Sequence, residues 1–210
     1  GAVGPHGHGV QHAGGHLDRL RPAGHLALAG EVAEAFRLDC IEFLPSYQPV
    51  HRDQPETSPQ IRRRLVELAI APYPGFILNS SELERGGPSY AYDTLRGIKQ
   101  DHPDTTICWL MGADSFISFP DWYQPEGILQ LAHLIVCLRP GVELDKSIFA
   151  QHQLQPGQSL QDFAAGKIVF HPMQPNPCSA TEIRQALKSG HPENPCLPAP
   201  VLEFIKQNHL

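Results

Sequence analysis

Two short runs decide what this chain can fold into. Residues 105–111, ending at Gly112, and residues 134–138 each read as one apolar stretch with no alternation of polar side chains. A strand of that kind is covered on both faces, which is the mark of a parallel sheet layered between helices. The rest of the chain supplies the other parts. Leu26, Ala29, Val32, Ala33 and Phe36 fall at helical spacing and predict a helix over 26–37. A short strand over 41–44 stops at Pro45. Ser58 reads as an N-cap and Pro59 as the first residue of a helix reaching about 71. Strand 76–78, helix 92–100, helix 124–132, strand 167–170 and closing helices over 181–188 and 199–207 complete an α/β pattern with a parallel sheet and helices on both faces.

At 210 residues the chain is the size of one ordinary domain. With 16 Lys+Arg against 22 Asp+Glu, its net charge of −6 argues against a nucleic-acid binder, which normally carries a basic surplus. No apolar run approaches the roughly 20 residues of a membrane helix. The five cysteines, Cys40, Cys108, Cys137, Cys178 and Cys196, are odd in number and lack a C-x-x-C pair. They predict neither a disulfide framework nor a zinc site, and Cys108 and Cys137 read as small hydrophobes. The N-terminus has no basic stretch followed by an apolar one, so a cytoplasmic protein is expected. Residues 1–24 are rich in glycine and carry His6, His8, His12 and His16; they read as loop.

Ligands of such sheets bind beyond the carboxyl ends of the strands, so the residues there are the candidates. Gly112 lets a ligand approach the backbone and Asp114 can accept hydrogen bonds from sugar hydroxyls, or the two form a strand-to-helix turn with Asp114 as cap. Trp122-Tyr123 offers a stacking platform, or else a core aromatic pair. His51-Arg52 suits a phosphate, or is a solvated basic loop. Pro88-Ser89-Tyr90 is a ligand loop or a capped turn. Ser179, Thr181 and Arg184 at a helix start form an anion site, while Ser179 and Glu182 also spell a capping box. Gly24-His25 opens the first long helix, where an imidazole can reach a phosphate, or is simply an exposed histidine.

In order along the chain, Gly24-His25-Leu26, Pro49-Val50-His51-Arg52, Pro88-Ser89-Tyr90, Asp93-Thr94-Leu95, Gly112-Ala113-Asp114-Ser115, Pro120-Asp121-Trp122-Tyr123, the stretch from Ala132-His133 to Arg139-Pro140-Gly141, and Ser179-Ala180-Thr181-Glu182-Ile183-Arg184 resemble the bacterial nicotinate-nucleotide adenylyltransferases. The resemblance covers residues 24–210. It implies a Rossmann-like fold of nucleotidylyltransferase type, with 1–210 as a single domain whose residues 1–23 are atypical. It implies adenylyl transfer from ATP, with Mg²⁺, to nicotinate mononucleotide in a monomer or small homo-oligomer that uses neither nucleic acid nor membrane. It places Gly14, Gly15, Gly24, His25, Gly112, Asp114, Ser179, Thr181 and Arg184 at ATP, with His25 and Arg184 catalytic. His51, Arg52, Ser89, Tyr90, Trp122, Tyr123 and Arg139 fall to the mononucleotide, and no metal ligand is implied.

The chain departs from the family's opening, an apolar strand followed by Gly-Gly-(Ser/Thr)-Phe-(Asp/Asn)-Pro-x-His-x-Gly-His. Gly14, Gly15 and Asp18 match only with one extra residue before Gly24. His16-Leu17 replaces Thr-Phe, Pro22 stands where the first histidine belongs, and Ala91 replaces the threonine of Pro-Ser-Tyr-Thr. Residues 1–13 show little β character. An impaired, nucleotide-binding homologue without turnover is the alternative this opening suggests.

Overall fold

The computed structural model describes residues 10–13, 22–50, 57–175, 183, 185–187, 189, 196–208 and 210. Six strands form the main sheet: β1 (Val10–Ala13), β2 (Ile41–Phe43), β4 (Phe76–Leu78), β6 (Ile107–Gly112), β7 (His133–Leu138) and β8 (Ile168–Pro172). Their spatial order is β4-β2-β1-β6-β7-β8 and every pairing is parallel. The order runs outward in both directions from β1, so the sheet reverses between β1 and β6, where a crevice opens beyond the strand ends. Two further strands, β3 (Gln48–Pro49) and β5 (Pro88–Ser89), pair with each other apart from the main sheet.

The apolar runs do what their composition requires. Cys108, Leu110, Ile135 and Cys137 face one layer, built on α1 (Pro22–Phe36), α2 (Pro59–Ile70) and α7 (Ala199–Asn208). Ile107, Trp109, Met111, Leu134 and Val136 face the opposite layer, built on α4 (Ala91–Asp101), α5 (Ala113–Ile117) and α6 (Pro125–Leu131). Burial pushes the thiols of Cys108 and Cys137 up to about 12, so both behave as small apolar groups; Glu31 adds to the shift at Cys137. His133 is buried at the start of β7. Its Nδ1 accepts the Lys167 N–H at 3.1 Å, which leaves Nε2 to carry the proton and donate to the Phe163 carbonyl at 3.1 Å.

The start of α2 is as its sequence suggests. Ser58 is extended (φ −62°, ψ 154°), its hydroxyl accepts the Ile61 N–H at 3.3 Å, and Pro59 fills the first turn. Three readings need correction. Residues 10–13, expected as loop, form β1 at the centre of the sheet; His12 is in register with Glu42 on one side and Trp109 on the other. A central strand takes hydrogen bonds from two neighbours, so its pairing overrides weak propensity. Helix α1 starts at Pro22, four residues before the apolar spacing that announced it. Cys196 is disulfide-bonded, its partner lying outside the described residues; sequence spacing says nothing about cysteines that a fold brings together. Nothing in the sequence announced β3, β5 or α3 (Ser81–Arg85), whereas the turn expected after Gly112 does lead into a helix, α5, with Gly112 and not Asp114 at its cap. Of the expected helix over 181–188, Ile183 and residues 185–187 are described and helical.

Candidate active site

The site is assembled at the carboxyl ends of the strands by three loops and one helix start. The first loop follows β2. Arg62 lies on the inward face of α2 with Leu65, Val66, Ala69 and Ile70, and is 5% exposed. Its guanidinium donates to the carbonyls of Thr57 (2.5 Å), Ser46 (2.5 Å) and Tyr47 (3.0 Å). An arginine offers five donors in a fixed fork, and here the fork holds the chain that leads into β3. Glu42 and Asn79 tie the neighbouring strand ends: the Asn79 amide donates to the Glu42 carboxylate at 2.7 Å. Burial nonetheless raises the pKa of Glu42, with Asn79 and the charge of His102 opposing.

The second loop carries Ser89 and Tyr90. Pairing of Gln48 with Pro88 and of Pro49 with Ser89 lays it alongside the first. The buried Ser89 hydroxyl accepts the Tyr47 N–H at 2.9 Å, a second tie between the loops. Tyr90 then caps α4 without a side-chain bond.

The third loop follows α5. Trp122 is half-buried, its edge against Phe119 (centroids 5.7 Å, 66°), and its indole N–H donates to Ser118 Oγ at 3.3 Å. Tyr123 is exposed, and its ring meets Tyr90 (4.8 Å, 45°) and Tyr92 (5.9 Å, 77°). Tyr92 fits because Gly127 faces it: a Cβ there would stand 2.6 Å from the Tyr92 ring. So the sequence-predicted Ser89, Tyr90, Trp122 and Tyr123 come together. Trp122 packs against the core through Phe119, while Tyr123 is exposed, so the two divide between the core and the surface.

The end of β6 leads into α5 and so to this loop. Gly112 is exposed, with open space where a side chain would project, and Asp114 is exposed beside it. Gly24 and His25 sit in the first turn of the fifteen-residue α1, whose N–H groups and dipole favour an anion. Pro22 is the first residue of that helix. Arg139 is exposed just after β7, its carbonyl accepting the Val142 N–H at 3.2 Å. Gly14, Gly15, His51, Arg52, Ser179, Thr181, Arg184 and the Ser179–Glu182 capping box lie outside the described residues, or their side chains do. Among the described residues no three His, Cys, Asp or Glu side chains are arranged to hold an ion.

The supporting residues were harder to read. Arg62 had a signal in the 62, 65, 66, 69, 70 spacing, which puts it on the apolar face. Glu31 had none: it sits on α1 but bonds His171 on β8 at 2.9 Å and accepts the Gln174 N–H at 3.3 Å.

The class defined by this sheet and crevice is that of the cytidylyltransferase-like proteins, whose family model matches residues 20–186. Two solved structures of the Plasmodium falciparum nicotinic acid mononucleotide adenylyltransferase share the fold. The one complexed with NaAD has a TM-score of 0.70 at 16% identity, covering 98% of this chain and 97% of that one. The one complexed with APC has a TM-score of 0.69, also at 16% identity, over 96% of each chain. Closer in sequence is a "probable nicotinate-nucleotide adenylyltransferase" of Hydrogenovibrio crunogenus, 39% identical over 202 residues and 94% of both chains. Another, from Coxiella burnetii, is 37% identical over 94% of this chain and 95% of its own. The chain belongs to the nicotinate-nucleotide adenylyltransferase family.

Proposed function

We propose that this chain carries out its family's reaction, the transfer of the adenylyl group of ATP to nicotinate mononucleotide, with the pyridine held at Trp122 and Ser89-Tyr90 and the ATP phosphates at the start of α1. The products are nicotinate adenine dinucleotide and pyrophosphate, a step in NAD biosynthesis. The observation that carries this arrangement is the joining of three loops distant in sequence, by the β3–β5 pairing and by Tyr90 against Tyr123 at 4.8 Å.

The mononucleotide's phosphate oxygen attacks the α-phosphorus of ATP. One P–O bond forms, the bond to the β-phosphate oxygen breaks, and the electron pair leaves on pyrophosphate. The nucleophile is already an anion at neutral pH, so no general base is required. Catalysis is alignment of the two phosphates and neutralisation of their charge. Trp122 gives a flat face for the pyridine, and backbone N–H groups of the Ser89-Tyr90 loop suit its carboxylate. His51 and Arg52 are assigned to the mononucleotide phosphate, and Arg139 to the same substrate. Gly112 and Asp114 are assigned to adenosine; Gly14, Gly15, Gly24, His25, Ser179, Thr181 and Arg184 to the ATP phosphates, with His25 and Arg184 catalytic. Mg²⁺ enters with ATP, a hard cation that prefers phosphate oxygens and water.

The reading takes residues 1–210 as a single domain, working in the cytoplasm as a monomer or small homo-oligomer, without nucleic acid or membrane. No helix among the described residues is long and apolar enough to cross a membrane. The impaired alternative loses one of its two supports, since β1 is present; Pro22 in place of the first histidine remains. The test is incubation of the purified chain with MgATP and nicotinate mononucleotide, following dinucleotide and pyrophosphate together. Equal amounts of both are expected. Pyrophosphate without dinucleotide, or nucleotide binding without either product, would overturn the assignment.

A further inference from the structure

The loop assigned to the pyridine carboxylate is closed from behind by a buried polar network. Glu82 on α3 and Thr94 on α4 are 5% and 2% exposed. The Thr94 hydroxyl donates to Glu82 Oε1 at 2.7 Å. A hydroxyl has one hydrogen and two lone pairs, so that bond uses the hydrogen and leaves the lone pairs to Arg85, whose Nη1 and Nη2 lie at 3.4 and 3.3 Å. The Tyr90 carbonyl, also 3.3 Å from the hydroxyl, is served instead by the Thr94 backbone N–H at 3.2 Å.

Between the two helices the chain makes a tight turn. Gly86 and Gly87 both have positive φ (67° and 70°), a conformation that side chains resist. Pro88 and Ser89 form β5, and Tyr90 caps α4. Two consecutive left-handed glycines leave such a turn several ways to lie unless its ends are fixed. A buried carboxylate and hydroxyl are an expensive way to pack two helices, since an apolar pair of similar volume does that as well or better. What it adds is a single arrangement, because each partner satisfies a specific neighbour.

We propose that Thr94, held between Glu82 and Arg85, is a positioning residue that sets the Ser89-Tyr90 loop for the acid mononucleotide. The inference rests on the assignment of that loop to the pyridine. Thr94 touches no substrate; it fixes where the loop's backbone donors point. Its loss therefore weakens mononucleotide binding and the preference for acid over amide, while leaving the ATP side untouched.

The experiment compares wild type, Thr94→Val and Thr94→Ser by steady-state kinetics with nicotinate mononucleotide, the amide mononucleotide and ATP. Thr94→Val keeps the shape and removes the hydroxyl. Its KM for the acid should rise about tenfold, the cost of one buried hydrogen bond to a charged group. KM for ATP should stay within about twofold, and the acid-to-amide ratio of kcat/KM should fall by a similar factor. Thr94→Ser should restore both. Should Thr94→Val fail to fold, Arg85→Met, on an exposed side chain, should raise KM for the acid alone by about threefold. A Thr94→Val enzyme like wild type, an equal rise in both KM values, no rescue by serine, or an Arg85→Met enzyme like wild type would overturn the inference. Absence of dinucleotide synthesis in the wild type would instead overturn the reading on which it rests.

Discussion

The wall around Tyr90 and Tyr123 and the helix start at Pro22 both follow carboxyl ends of the parallel strands but are built differently. The wall is a set of loops that hold one another: Arg62 on the Ser46 and Tyr47 carbonyls, Ser89 on the Tyr47 N–H, β3 on β5, and Tyr92 against Gly127. The helix start is one element presenting its own N–H groups, fixed by burial of Leu26, Ala29 and Val32 along its length. The difference suits what each side is proposed to recognise. A flat pyridinium ring with one carboxylate is distinguished by shape and by the placement of a few donors, which demands a rigid frame. Polyphosphate is held by charge and N–H groups, which a helix provides without outside help. Substitutions in the wall should therefore act on one substrate, and substitutions at the helix start on the other.

The largest effect is expected at the helix start. Pro22 has no N–H and no side-chain donor, and one well-placed donor on a developing phosphate charge is worth about 10²-fold in rate. Pro22→His should raise kcat by up to that factor, with KM for the mononucleotide unchanged. An unchanged kcat would show that this position does not face the phosphates.

Ser89→Ala comes next. It leaves the Tyr47 N–H without its partner at a part-buried site, a loss of about 0.5–1.5 kcal/mol. Thermal unfolding should register that loss, and KM for the mononucleotide should rise while KM for ATP does not. A comparable rise in both would mean that the wall and the helix start are not separable.

Gly127→Ala tests the wall without touching the proposed site. The added methyl meets the Tyr92 ring, and overpacking of this kind costs about 1–3 kcal/mol. The expected readout is a lower midpoint in denaturant and a modest rise in KM for the mononucleotide alone. Wild-type behaviour in both would detach Tyr92 from the wall.

The smallest effect concerns the scaffold shared by both regions. Burial lowers the pKa of His133, opposed by its bond to Phe163 and helped by the charges of Lys167 and Lys99. Above its ordinary value of about 6.5 neither the folded nor the unfolded chain carries that proton. As pH falls below that value the unfolded chain takes it up and the folded one resists, so stability declines by at most ~1.4 kcal/mol per pH unit. Equilibrium unfolding of wild type and His133→Gln, followed between about pH 7.5 and 5.5, should show a shallower acid decline in the variant. Parallel declines would remove His133 as its source.

The same contrast governs how much was legible in the sequence. The main sheet was readable because residues 105–111 and 134–138 admit only a strand covered on both faces, and α2 because Ser58-Pro59 carries its own start signal. Trp122-Tyr123 and Ser89-Tyr90 were visible as candidates by their places after strands. What could not be read was their meeting. The β3–β5 pairing joins residues some forty positions apart through two-residue strands with no periodicity of their own. Strand β1 was hidden for a related reason: its neighbours, not its composition, make it a strand. Arg62 shows the intermediate case, a charged residue whose helical spacing pointed inward, against the expectation for its type.

The central claim is that the aromatic wall takes the mononucleotide while ATP lies across the crevice from it. Trp122→Ala tests this most directly, by KM for each substrate in the pyrophosphate-release assay. Removing the indole forfeits its buried area and a stacking contribution of about 0.5–1.5 kcal/mol, so KM for nicotinate mononucleotide should rise about tenfold or more. KM for ATP should stay within about twofold of wild type. Equal increases for both substrates, or an increase for ATP alone, would contradict the account.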